Sequence, residues 1–219
     1  MIITLLSDIH GRIEKIERIS NQLRNSDIVV LAGDITHFGR EPEVREIISK
    51  IAVFQSNILA VTGNCDYPEV EHFLRKEGIS LHQKSAIFGG IGFVGVGGSL
   101  PCPGKTPNEY SEEEIKELLD ISFASLYSDI PTILVVHQPP FNTVVDKLPT
   151  GLHVGSLSIR NSIEIKKPIA CFCGHLHEAL GKDKIGDTII INPGPFKEGN
   201  YAFVKLVDNK IENITLSSN

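Results

Sequence analysis

The apolar positions of this chain follow two rhythms. Short continuous runs, Ile2-Ile3-Thr4-Leu5-Leu6, Ile28-Val29-Val30-Leu31-Ala32 and Ile58-Leu59-Ala60-Val61, alternate with stretches in which apolar residues recur every three or four positions. The continuous runs predict strands covered on both faces, as parallel strands are. Between them Ile13, Ile16, Ile19 and Leu23 predict a helix opened by Gly11-Arg12, and Val44, Ile47, Ile48 and Ile51 predict a second, with Pro42 in its first turn. A shorter helix over Pro68 to Lys76 stops at Gly78. This alternation implies parallel strands joined by right-handed crossovers, an α/β fold.

The middle of the chain changes character. Ser85 to Gly98 is apolar and glycine-dense with a break at Gly89-Gly90, and predicts a hairpin that either packs internally or supports a homodimer. The run from Gly97 to Gly104 predicts an irregular loop, either lining a cleft or merely connecting, before a helix capped by Ser111 with Glu114 in the reciprocal position. Strands follow at Ile133 to Val136 and Ile169 to Cys173, separated by an extended loop from Gln138-Pro139-Pro140 to Thr150 and a helix from Gly155-Ser156. Short strands are expected at Ala179 to Lys182, Thr188 to Ile191, Tyr201 to Val207 and Ile211 to Leu216, with a turn at Asp208-Asn209. No repeat or linker divides the chain, so one domain over residues 1–219 is expected.

Composition narrows the partners. A net charge of -6 over 219 residues argues against a broad surface for phosphate backbones, which disfavours nucleic acid. No segment reaches the ~20 apolar residues of a membrane span, and Asp8 interrupts the first apolar run too early for a leader peptide, so a cytoplasmic protein is expected. Cys65, Cys102, Cys171 and Cys173 lack zinc-finger spacing and are read as reduced thiols.

Chemistry concentrates where the predicted strands end. Asp8 and His10, Asp34, Asn64, His137, and His175 with His177 each follow an apolar run, and in open α/β sheets ligands bind at the carboxyl ends of strands. Singly, each has an ordinary explanation: a capping aspartate, a left-handed asparagine, a hydrogen-bonded histidine. Together they form a mixed imidazole and carboxylate set that suits manganese, iron, nickel or zinc. The i, i+2 spacing of Asp8 with His10 and of His175 with His177 would place each pair on one side of an extended backbone. Seven donors fit two ions better than one, and two ions need a bridge, for which Asp34 is the natural choice. His37, His72 and His82 lack such partners and are assigned to the surface or to ordinary packing.

Asp8-Ile9-His10, Gly33-Asp34, Gly63-Asn64-Cys65-Asp66, Val136-His137 and Gly174-His175-Leu176-His177 together resemble, in order, the five motifs of the calcineurin-like metallophosphoesterase superfamily. The resemblance implies a two-sheet β-sandwich flanked by helices, a four-layer α/β/β/α fold. It also implies two divalent cations, manganese foremost, one held by Asp8, His10, Asp34 and His177 and the other by Asp34, Asn64, His137 and His175. A bridging hydroxide would attack phosphorus, with Asp34, Asn64 and His10 central to catalysis. Where the family commonly has a histidine after the asparagine, thought to protonate the leaving group, this chain has Cys65, as do the small archaeal and bacterial phosphodiesterases that it resembles. A neutral thiol is a poor general acid at neutral pH, which favours a small phosphodiester with a good leaving group over a monoester. Cys65, Asp66, His153 and Arg12 are further candidates for contact with substrate or ligands. For Cys65 the alternative is packing, for His153 a locally bonded loop histidine, and for Arg12 an exposed helix start. The rival functions are a non-catalytic protein-interaction scaffold of the same fold and a nuclease.

Overall fold

In the computed structural model, which describes residues 1–126 and 129–218, the continuous apolar runs are parallel strands within two mixed sheets. Residues 127, 128 and 219 of the expected domain lie outside the described residues. The first sheet holds β1 (Ile2–Leu6), β2 (Ile28–Ala32) and β3 (Ile58–Val61) in parallel. The antiparallel pair β10 (Asn200–Val207) and β11 (Lys210–Ser218) completes it beside β1. In the second sheet, β4 (Lys84–Phe88) and β5 (Ile91–Val96) form the expected hairpin. β5 continues in parallel through β6 (Thr132–Val136), β7 (Ala170–Phe172) and β9 (Thr188–Asn192), and β8 (Gly181–Ile185) closes the far edge.

The period of two along each strand divides the side chains between two cores. Leu6, Val29 and Leu31 point outward to meet Val44, Ile47 and Ile51 of α2 (Glu41–Ala52) and Val70 and Phe73 of α3 (Pro68–Lys76). Ile3, Leu5 and Val30 point inward against Phe93, Ile133, Val135 and Phe172 of the other sheet. Beyond that sheet, Ile115 and Leu119 of α4 (Glu112–Ala124) and Ile159 and Ile163 of α5 (Leu157–Lys166) cover Val94, Leu134, Val136 and Ile190. Both faces of the inner strands are therefore apolar, which is why they read as unbroken runs, and the layers are α/β/β/α. Among the described residues no helix is long and apolar enough to cross a membrane.

Two elements differ from expectation. Residues 13–23 are not one α-helix but a 3₁₀ helix over Ile13–Ile19 followed by the five-residue α1 (Ser20–Arg24). Ile13, Ile16 and Ile19 recur at strict intervals of three, the period at which 3₁₀ side chains eclipse, so the tighter helix aligns them on one side. The strand expected from Ala179 begins instead at Gly181, because the Asn192 side chain donates to the carbonyls of Leu176 and Ala179 and holds His177–Ala179 as a 3₁₀ turn.

His82 proves to be a core residue. Its Nδ1 accepts the Gly97 amide at 3.0 Å and its ring stacks on Tyr110. Burial, then the nearby Arg75 charge, holds its pKa down to about 4 from 6.5. The unfolded chain takes up a proton that the folded one refuses, so this contribution to stability is full above pH 6.5 and is lost as pH falls towards 4, ~3 kcal/mol in all. His82→Asn keeps the acceptor but does not titrate. It is expected to flatten the pH dependence of the urea-unfolding free energy across that window, and an unchanged slope would refute the assignment.

Candidate metal centre

Five strand ends, from both sheets, deliver the seven predicted donors to one rim. His177 Nε2 lies 3.1 Å from Asp8 Oδ1 and 3.3 Å from His10 Nε2, which in turn lies 3.6 Å from Asp34 Oδ2. On the other side of Asp34, Oδ1 is 3.5 Å from His137 Nε2. His137 Nε2 stands 3.0 Å from Asn64 Oδ1, and its ring meets that of His175 edge-on with centroids 5.1 Å apart. The donors thus form two groups that share Asp34, one around Asp8, His10 and His177, the other around Asn64, His137 and His175.

The backbone brings them together in a different way from the extended geometry expected from the i, i+2 spacing. Asp8, His10, Asp34 and His175 all have left-handed backbones, with φ of 55°, 47°, 49° and 71°. Such conformations cost of order 1–3 kcal/mol each and persist only where surrounding bonds over-determine them. Here the loop after β1 is laced to the loop after β2 by Asp8 N–H to Gly33 O, His10 N–H to Asp34 O and Gly11 N–H to Ile35 O. The loop after β9 is joined to the first by Phe196 N–H to Ser7 O and Lys197 N–H to Asp8 O. The motif glycines are explained by contact. A Cβ on Gly33 would stand 2.4 Å from the His137 ring, and one on Gly63 would stand 2.0 Å from Asp34 Oδ1.

Electrostatics favour a positive charge at this rim. Asp8 and Asp34 are buried, which by itself raises a carboxyl pKa, yet both are held below the ordinary value by neighbouring histidines: His177 and His137 act on Asp8, His137 and His10 on Asp34. Conversely, burial pushes His10 and His175 down to about 4, while His137, despite its burial, is raised to about 9 by Asp34 and Asp8. The two carboxylates draw a proton onto the deepest imidazole because they need positive charge close by. A divalent cation supplies it, and the oxygen and imidazole donors fit one. His137 Nδ1–H donates to Ala32 O at 2.7 Å, which fixes the tautomer and leaves Nε2 free as a ligand.

The other predicted residues separate by contact. Asp66 is fully buried and accepts the amides of Ile35, Thr36 and Gly63 and the Thr36 hydroxyl at 2.7–3.1 Å, tying the Asp34 loop to the Asn64 loop. Burial and the charge of Asp34 nevertheless push its pKa up to about 6. Cys65 gives its amide to Asp34 Oδ1, and burial, then Asp34, pushes its thiol well above the ordinary range, so it stays protonated. All four cysteines are free thiols. His153 Nδ1 bonds Asp146, 2.7 Å away, within its own loop. Arg12 is exposed at the start of the 3₁₀ helix. The amides at the start of α5 are taken by the Glu112 carboxylate.

Several neighbours carry no sequence motif. Asn64 Nδ2 donates to Thr106 Oγ1, whose hydroxyl donates to Glu109, so the loop before α4 orients the Asn64 amide. In the same loop Cys102 Sγ lies 3.7 Å from His175 Nε2. The Ser7 hydroxyl donates to Asp8 Oδ2 at 2.7 Å. Lys197 lies close enough for its charge to act on His10. His37, assigned to the surface or to packing, is exposed, but its Nδ1 lies 3.3 Å from His10 Nδ1. Only spacing in the fold, not in the chain, could have found these.

The sequence model for the calcineurin-like phosphoesterase superfamily domain matches residues 1–207, and the chain belongs to that family. It is 41% identical over 199 residues to the uncharacterized protein MJ1162 of Methanocaldococcus jannaschii, covering 89% of this chain and 88% of the other. A dimetal phosphatase from Danio rerio shares the fold at 11% identity with a TM-score of 0.66, covering 100% of this chain and 95% of that one. A solved archaeal phosphodiesterase shares it at 14% identity with a TM-score of 0.51, covering 99% and 100%.

Two measurements follow from this geometry. Asp66→Asn turns an acceptor-only carboxylate into a group that confronts N–H donors with its own, and should cost about 3 kcal/mol in urea unfolding together with a weakened affinity for divalent cations. A loss below 1 kcal/mol would show that Asp66 does not hold the two loops together. Cation binding at pH 7 should release a proton from His137, so affinity rises with pH until about 9. Calorimetry in buffers of different ionisation enthalpy reads that proton, and no buffer dependence would contradict it.

Proposed function

We propose that this phosphoesterase is a two-metal phosphodiesterase acting on small diesters. The observation that carries this reading is Asp34, whose two carboxylate oxygens face separate donor groups, Oδ2 towards His10 and Oδ1 towards His137. A pair of divalent cations bound there would neutralise the phosphate oxygens and acidify an attacking water. By their donor chemistry these cations are manganese first, with nickel, iron or zinc as the others that fit. The dimetal character of the Danio rerio relative supports the pair.

The protein's own groups do the positioning. Asp34 stands between the donor groups, the Cys65 amide holds its Oδ1, and Thr106 turns the Asn64 amide so that its carbonyl oxygen points to His137. The positive charge of Lys197 reaches His10 and would favour an anionic phosphate at this rim. Preference for a diester rests on Cys65. Its thiol stays neutral and gives up no proton readily, so the site favours esters whose leaving group departs without one. The archaeal phosphodiesterase of the same fold supports this preference.

The test is hydrolysis of a matched aryl phosphodiester and aryl phosphomonoester by metal-stripped protein reloaded with manganese, nickel, zinc or magnesium. Metal-dependent cleavage of the diester in preference to the monoester is expected, and Asp34→Asn should lower it at least about a hundredfold. Fully loaded protein that cleaves neither ester would overturn the proposal in favour of a non-catalytic scaffold.

A further inference from the structure

Among the described residues, eleven non-glycine positions have positive φ, and Phe38, at φ 56°, is the one apolar side chain in that set. Bulky side chains avoid this region, so Phe38 is held there by its surroundings. On its N-terminal side Asp66 clamps Ile35 and Thr36, and the first turn of α2 reaches back so that Glu43 accepts the His37 amide. Glu43 also fills the space a Cβ on Gly39 would need, which fixes the far side of the residue. Four of the other positive-φ residues are the donors Asp8, His10, Asp34 and His175, so the strain at Phe38 belongs to the same construction as the metal centre.

What the strain achieves is display. Phe38 is 44% exposed, and its ring touches the edge of His37 at a centroid distance of 5.0 Å. His37 in turn lies edge-on to His10 at 5.2 Å. An exposed phenylalanine by itself means little. This one is a single ring removed from a metal-centre donor, fixed in place at a cost in stability, and offers water an apolar face.

We propose that Phe38 is the stacking platform for a flat aromatic group, a nucleobase or aryl ring, carried by the phosphodiester, and that it makes nucleotide-like and aryl diesters the substrate class in preference to alkyl ones. The proposal rests on the phosphodiesterase reading for the phosphate half of the ligand only. Its test is therefore binding rather than turnover. Titration calorimetry on manganese-loaded protein would compare thymidine 5′-phosphate and phenyl phosphate with methyl phosphate.

The parent should bind both aromatic phosphates more tightly than methyl phosphate. Phe38→Gly removes the ring and relieves the backbone, so it should melt no lower than the parent yet lose about tenfold in affinity for the aromatic phosphates, with methyl phosphate held as before. Phe38→Trp should retain the preference. The proposal is overturned if the parent shows no preference, or if Phe38→Gly either loses nothing or loses all three ligands by the same factor. Binding with this preference by a protein that hydrolyses no diester would remove the enzymatic reading and leave the aromatic platform standing.

Discussion

Two carboxylates buried at strand ends, Asp8 and Asp34, set the terms for everything around them. A charge in a low-dielectric site is tolerated only when it is paired and hydrogen-bonded. Asp8 receives the Ser7 hydroxyl, the His175 amide and His177, while Asp34 receives the Cys65 amide and faces His10 and His137. Even so, the pair draws positive charge onto His137, the most deeply placed imidazole, against the penalty of burial. Residues at these positions that served stability alone would be apolar. Their arrangement is intelligible as a receptor for cations.

That receptor depends on hydrogen bonds that tie the loops beyond the strands to one another. The strands end at Leu6, Ala32, Val61, Val136 and Phe172, and every donor lies beyond one of those ends. Loops at such positions would ordinarily be mobile. Here each is bonded to another: the first to the second through backbone amides, the second to the third through Asp66, and the third to the loop before α4 through Asn108, whose side chain donates to Thr62 and Gly63. The left-handed residues are therefore not local accidents. Asp8 and His10 turn so that their amides reach the carbonyls of Gly33 and Asp34, and His175 so that its amide reaches the Asp8 carboxylate. The same economy explains Gly33 and Gly63, where the His137 and Asp34 side chains occupy the volume a methyl group would fill.

The parts of the molecule legible in the sequence are those whose cause is local. Apolar runs such as Ile28 to Ala32 announce two-sided burial, Ser111 with Glu114 announces a capped helix, and five strand-end clusters announce a set of donors that the fold brings to one rim. Local signals failed where the cause lies elsewhere in the chain. The spacing of Asp8 and His10 points correctly to convergence but for the wrong reason, because their backbone is set by β2 and its loop rather than by an extended strand. Thr106 and Asn192 look like ordinary polar loop residues until the fold puts one against Asn64 and the other against the carbonyls flanking His177. At the start of α5 the amides look free from the local sequence, but Glu112 of the neighbouring helix α4 accepts them.

Cys65 shows how context decides chemistry at a single position. A thiol is ionisable near neutral pH in water, and beside a cationic centre it becomes a nucleophile. Here its amide is committed to Asp34, and the carboxylates nearby oppose a second negative charge, so the sulfur remains a small neutral group. A histidine in its place would bring a titrating proton to the leaving-group side of the site. Cys65 brings no such proton, and on the proposed phosphodiesterase reading selectivity would pass to the leaving group's own stability. Cys65 therefore leaves the donor set intact while changing the protons available beside it.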